Sequence, residues 1–284
     1  MNENNIESIL ARLDELERRL LWSDAEKLLT EAVGPNPDNE ELKVRLINVW
    51  FQLIRRNHPD SRRSEAAVKL GEELVSSSES YELINNVNRL LCFITALDGD
   101  KSSAKKYYDR LPSIESSREL YAAYVMDGDE LKEQLQRNIE TYMTGAVTSA
   151  RQLAFREKGD RGIKLLEKTI ELYELLYEGD NCGPYLSDMA IAALDIASYK
   201  AKQGDTDGAI DSLSRAVGYA ERYEAQEDDA SHSSILVDRI APKKSYAGAK
   251  VGEIIRNSLT TKDNFDLVRR DPRIGDILTR LKKL

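Results

Sequence analysis

Residues 198–225 read SYKAKQGDTDGAIDSLSRAVGYAERYEA, and within them lie a helix stop, a helix start and an apolar stripe. Gly204 is the residue able to take positive φ and end one helix, and Asp205 is placed to cap the free N–H groups of the next. Ala209, Leu213, Ala216, Val217 and Ala220 then recur at helical spacing on one face. The stretch is a helix hairpin whose small residues let its arms approach closely. Gly-Asp pairs return at Gly99-Asp100, Gly128-Asp129, Gly159-Asp160 and Gly179-Asp180, so hairpins are expected to repeat along the chain.

Working outward, Ile6, Ile9, Leu13, Leu16 and Leu20 mark a first helix, and Ser23 or Asp24 opens a second carrying Ala25, Leu28, Leu29, Ala32 and Val33. Residues 40–56 and about 64–75 make the next pair, joined by the polar turn NHPDSRR. A third hairpin follows three serines, with Leu83, Val87, Leu90, Leu91 and Ile94 in one arm and a short second arm stopped by Pro112. Residues 115–126 predict a short helix ended by Gly128. Residues 129–158 predict one unusually long helix, or two stacked end to end at Gly145, with Leu131, Leu135, Ile139, Tyr142, Val147, Ala150 and Leu153 turned inward. Ile163, Leu166, Ile170, Tyr173 and Tyr177 mark its partner. After residues 185–223 the chain is polar, and residues 247–258 and 272–284 predict the closing helices.

Bulk composition narrows the function classes. A formal charge of -9 and a pI near 5.1 disfavour whole-molecule attraction to nucleic acid or an anionic membrane surface. Two cysteines, Cys92 and Cys182, imply no disulfide framework. The first residues lack a basic segment followed by an apolar run, and nowhere do eighteen apolar residues stand together, which points to a soluble, cytoplasmic chain. His58 and His232 are the only histidines, with no HxxxH or HExxH pair, and there is no GxxxxGK[ST], GxGxxG or GxSxG motif. No enzyme activity, metal or cofactor is expected.

The spacing of about 30 to 37 residues per helix pair resembles the tetratricopeptide repeat. Gly204, Asp205, Ala209, Leu213 and Ala216 fit its turn and second helix; Gly99, Asp100, Ala104, Tyr108 and Leu111 fit it again; Ala25, Leu29, Ala32 and Pro37 fit half a first repeat. The resemblance implies an all-α, right-handed superhelix of antiparallel hairpins, ~12–14 helices in a solenoid. The repeats would span residues 1–224, with an irregular long-helix segment at about 129–178, and residues 225–284 would form a loop and capping helices. The tail sharpens the likeness. Phe265, Asp266, Arg269, Asp271, Pro272 and Arg273, after the segment HSSILVDRI, resemble the carboxy-terminal half of bacterial Xre-type helix-turn-helix regulators that carry a tetratricopeptide-like domain. In that family a DNA-binding unit precedes the repeats. Residues 1–41 hold eleven acidic and four basic residues and offer no basic recognition helix, so this chain is not expected to bind nucleic acid itself.

By the same resemblance, the first helix of each pair lines a concave face able to hold an extended peptide. Leu46-Ile47-Asn48 and Leu83-Ile84-Asn85 recur 37 residues apart, and this register sets Gln52 opposite Arg89, Arg56 opposite Phe93 and Val49 opposite Asn86. Arg118 occupies a comparable place in the next unit. The candidate binding residues are therefore Gln52, Arg56, Asn86, Arg89, Phe93 and Arg118, each weighed against an ordinary solvated helix position. Two other features read as structural. The arginines at 55, 56, 62 and 63 suit a solvated turn better than an acidic or nucleic-acid partner, and the thirteen tyrosines suit gaps between repeats better than a ligand groove. The sequence thus points to a peptide- or protein-binding sensor or oligomerising half of a regulator, with a peptide or protein ligand and a second copy of the chain as partners. A stand-alone interaction scaffold with no transcriptional role is the alternative.

Overall fold

The computed structural model describes residues 3–57, 60–178, 183–226, 233–241 and 250–284. His58, Cys182, His232, the Gly179-Asp180 pair and the expected helix start at residue 247 lie outside them. The described residues form twelve α-helices and short 3₁₀ segments, and among them there is no strand. No helix among them is long and apolar enough to cross a membrane. The chain divides into two compact units, Met1–Ser117 and Arg118–Leu284. The break falls inside the span read from sequence as one array of residues 1–224, and the closing helices belong to the second unit. The reason is local: residues 115–126 do not make an α-helix. They form the 3₁₀ segments Ile114–Ser116 and Arg118–Tyr124, and of the second only Ala122 is buried. A segment burying one small side chain lacks the apolar face that holds a helix in a layer.

The first unit contains α1 (Glu3–Arg18), α2 (Trp22–Val33), α3 (Glu40–Asn57), α4 (Ser61–Ser77), α5 (Tyr81–Leu97) and α6 (Lys101–Tyr108). Each helix packs on the next, and α3 also packs on α5. Two layers result. Arg45 of α3 reaches Asp14 and Glu17 of α1, so α1, α3 and α5 form one layer. Glu26 of α2 holds Arg63 of α4, and Glu72 of α4 accepts from the Tyr107 hydroxyl of α6 at 2.8 Å, so the even-numbered helices form the other. Caps fix the turns: Asp60 accepts from Arg63 N, Ser80 from Leu83 N and Asp100 from Ser102 N and Ser103 N. Asp60 starts α4 three residues earlier than the sequence suggests. Gly71 sets the spacing of α4 and α5, since a Cβ there would stand 2.8 Å from Leu91 Cδ1.

In the second unit α7 (Gly128–Glu157) runs unbroken through Gly145, followed by α8 (Gly159–Tyr177), α9 (Leu186–Lys202), α10 (Thr206–Glu224), α11 (Val251–Thr261) and α12 (Ile274–Leu281). The hairpin of α9 and α10 is its centre. Gly204 has φ 80, Asp205 accepts from Gly208 N at 2.9 Å, and Ala190, Ala193, Ala197, Ala209, Ala216 and Ala220 are buried between the arms. The same alternation of layers recurs. Glu167 of α8 holds Arg215 of α10 through two bonds, and Glu221 of α10 holds Arg280 of α12 likewise. On the other side α9 packs on α11, and Arg151 of α7 faces Asp188 and Asp195 of α9.

Residues 233–241 return to α7, where Gln136 secures them. Its amide donates to Ile235 O at 3.1 Å and Asp238 Oδ1 at 2.7 Å, while its carbonyl accepts from Arg239 N at 2.7 Å. Every hydrogen-bonding site that this strap needs from Gln136 is used, and Val237 and Ile240 are buried beneath it.

Candidate functional site

The layer of α1, α3 and α5 presents a seam between α3 and α5. Val44 and Phe51 on α3, seven residues apart, fall on the flank that faces α5. Asn86 and Phe93 on α5 occupy the opposing flank. Val44, Leu83 and Asn86 line a cleft of about 440 Å³ with Glu40, Glu41, Arg45, Ser80 and Glu82. Further along, the rings of Phe51 and Phe93 stand 5.7 Å apart, and the Arg55 guanidinium lies 5.7 Å from the Phe51 ring. Phe93 remains 49% exposed, whereas Phe51 is half-buried and packs against the core of the first unit. Arg89 donates to Asn86 Oδ1 at 2.8 Å, which places both side chains on one exposed face of α5.

The six residues picked from sequence are therefore not all brought together. Asn86, Arg89 and Phe93 lie along the seam. Gln52 and Arg56 sit on the adjoining stripe of α3, with Arg45 and Val49, turned toward α1 and α2, and Arg56 lies 5.4 Å from the ring of Trp22. Val49 is wholly buried, so it cannot serve as the counterpart of Asn86 on a surface. Arg118 belongs to the second unit, in a 3₁₀ segment, 95% exposed and beside Glu119 at 3.3 Å. The register of 37 residues identifies equivalent positions, whereas neighbours across the seam, Val44 with Asn86 and Phe51 with Phe93, are 42 apart. A step of one residue turns the helix face by about 100°, which separates the stripe read from sequence from the one that makes contact. Phe51 and Arg55 are the residues this misses. The heptad spacing of Val44 and Phe51 was the available signal.

Electrostatics differ along the layer. Glu17 is raised above the ordinary carboxylate range because burial outweighs the nearby Arg45, and Arg45 keeps a buried Nε without a hydrogen-bond partner. The even-numbered layer is held by ordinary ion pairs: Arg63 draws Glu26 below its usual range, and Glu26 also accepts from the Trp50 indole at 2.9 Å. Arg62 and Arg63 flank a cleft of about 460 Å³ there, but Arg63 is fully engaged by Glu26 and Asp60.

The second unit holds a competing polar cluster. Arg151 lies 3.5 Å from Asp188 and 3.7 Å from Asp195, and Tyr173 is 3.5 Å from Asp188. Burial raises both aspartates. Tyr185 stacks on Tyr173 and Tyr177 at 5.0 and 4.9 Å, and donates to Glu140 at 3.0 Å. These contacts join α7, α8 and α9 to one another. Tyr107, Tyr173 and Tyr177 are buried and fill gaps between helices, whereas Tyr81, Tyr108, Tyr121 and Tyr124 are exposed.

The tail motif has packing duties. Asn264 Nδ2 donates to Ser198 O and Oγ, and Phe265 and Val268 are buried. Asp266 holds Arg269, whose guanidinium caps α11 through Leu259 O at 2.8 Å and Lys262 O at 2.9 Å. Asp271 is drawn down to about 2 by Arg273, which reaches on to Asp207 of α10. No family model matches the chain, and no curated protein matches it in sequence.

Proposed function

We propose that the chain is a non-enzymatic, tetratricopeptide-like recognition module of the cytoplasm, and that a peptide or protein segment binds along the seam of α3 and α5. The observation that carries this reading is the exposed Phe93 ring resting on the half-buried Phe51, with Asn86 and Arg89 on the same face of α5, an apolar floor flanked by groups able to bond a peptide backbone. Support for the repeat class comes from sequential hairpins whose odd and even helices form separate layers in each unit. A solenoid of that kind can change pitch when its face is filled, and two copies of the chain would then be held differently.

The further reading, that the module senses a ligand for an Xre-type regulator, rests on the tail residues from Phe265 to Arg273. A stand-alone scaffold uses the same seam without that output. A random peptide library selected on the full chain tests the shared part. Enriched sequences are expected to lose binding to Phe93→Ala and Asn86→Ala. Sequences that bind the variants as well as the parent, or no enrichment, would refute it.

A further inference from the structure

The seam carries charge in an ordered way, and that order constrains its occupant. In the first unit Arg45 is neutralised by Asp14 and Glu17, Arg63 by Glu26 and Asp60, and Arg110 by Glu72, whereas Arg56 rests over the Trp22 ring of α2. Arg55 and Arg89 pair with no carboxylate among the described residues. Arg55 rests over the Phe51 ring, and Arg89 bonds only the neutral amide of Asn86. At the other end stand Glu40, Glu41 and Glu82, in the first turns of α3 and α5. Glutamates in a first turn and Arg55 in a last turn also complement the dipole of α3. Arg89 lies in the middle of α5, exposed to water, so its charge is open to a partner on the seam.

From Glu41 to Arg55 the seam spans about 21 Å at 1.5 Å per residue. An extended chain covers that distance in about six residues. Along it come carboxylates, then Val44 and Asn86, then Arg89, then the phenylalanine pair, then Arg55 in the last turn of α3. We propose, building on the peptide reading of this seam, that its occupant is a short acidic linear segment: an apolar side chain seated on Phe51 and Phe93, carboxylate side chains on both sides meeting Arg89 and Arg55, and a cationic group at the Glu40–Glu41–Glu82 end. A nucleic-acid strand fits less well, because its phosphates would run from the arginines into these glutamates within the same 21 Å, about six phosphates of single strand or fewer.

Fluorescence anisotropy on the full chain tests this with three labelled probes: the amidated hexapeptide Lys-Gly-Ser-Asp-Leu-Glu, its charge-inverted form Glu-Gly-Ser-Lys-Leu-Lys, and a twelve-residue oligothymidylate. The acidic peptide is expected to bind at least about tenfold tighter than the inverted one, the scale of one charge-assisted contact. Arg89→Glu is expected to weaken the acidic probe about tenfold and to strengthen the inverted one, a reversal that unfolding cannot produce. Arg62→Glu, on the other layer, is expected to change neither. Equal or tighter binding of the inverted peptide, indifference to Arg89→Glu, no saturable binding of the acidic probe up to ~1 mM, or displacement of the peptide by oligothymidylate would overturn the proposal. If neutral or basic library peptides bind in a Phe93-dependent way, the charge assignment alone fails. If no peptide depends on Phe93, the peptide reading falls with it.

Discussion

Replacing Gln136 with leucine should release residues 233–241 from α7 while leaving both units folded. Gln136 is 8% exposed and makes three hydrogen bonds to the strap. Two of them, to Ile235 O and from Arg239 N, are neutral and contribute about 1 kcal/mol each; the bond to the Asp238 carboxylate contributes about 1.5–3 kcal/mol. Their loss removes about 4 kcal/mol from the strap's attachment. What remains is the exposed ion pair of Arg239 with Asp129, about 1 kcal/mol at most, and the burial of Val237 and Ile240, about 1.5–3 kcal/mol for each side chain, set against the entropy of ordering the segment at about 1 kcal/mol or more per residue. The remaining terms do not hold nine residues in place, so the strap opens locally. Amide exchange should show it: protection of Arg239 N–H and of Ile240 N–H, which bonds Val237 O, is expected to fall by ~10²–10³-fold, while amides of α9 and α10 are unaffected. Asn138→Leu is the control, since Asn138 serves Glu119 O on the far side of α7. Protection of Arg239 within about fivefold of the parent would refute the assignment.

Gly71→Ala should destabilise the first unit by about 1–3 kcal/mol in denaturant titrations, because the new methyl meets the buried Leu91 and must push α4 from α5. Phe93→Ala, by contrast, should cost under about 1 kcal/mol, since the ring is half exposed, and a larger loss would move it from surface to core. The pH dependence follows from the ion pairs that tie the even-numbered layers. Glu26 and Glu221 have folded pKa values held below 4.5 by Arg63 and Arg280, so their stabilisation is present above the unfolded value and is lost as pH falls through the folded one. Asp195, raised by burial, acts in the opposite sense: it opposes folding at neutral pH and ceases to do so as acid protonates it. Melting curves between pH 7 and 3 should therefore flatten in Glu26→Gln and steepen in Asp195→Asn.

The hairpin of α9 and α10 was legible because its signals are local. Gly204 at positive φ, Asp205 bonding Gly208 N and alanines at helical spacing all act within one or two turns. The continuity of α7 was less so: a side chain at Gly145 would meet no neighbouring element, since a Cβ there would have nothing within 4 Å, and a lone glycine costs a helix only about 1 kcal/mol, too little to break it when both halves pack. The segment HSSILVDRI stood out as part of a motif, but its attachment to α7 was invisible, since Gln136 and its partners are about a hundred residues apart and no periodicity links them. The tail residues were recognisable as a motif, but their work as a cap for α11 and a tie to α10 depends on carbonyls and a carboxylate that only the fold brings near. At the seam, Asn86 and Arg89 could be placed on one face because they are three residues apart on one helix. Which residues of α3 they meet depends on the flank by which two neighbouring helices touch, and sequence equivalence does not carry that.

Hydrogen-exchange mapping of the full chain, free and saturated with a peptide from the library selection, bears most directly on the central claim that the α3–α5 seam is the recognition face. Slowed exchange confined to residues 41–56 and 82–97, with α2, α4 and α6 unchanged, is the expected outcome. Protection appearing instead on the even-numbered helices, or only in the second unit, would contradict it.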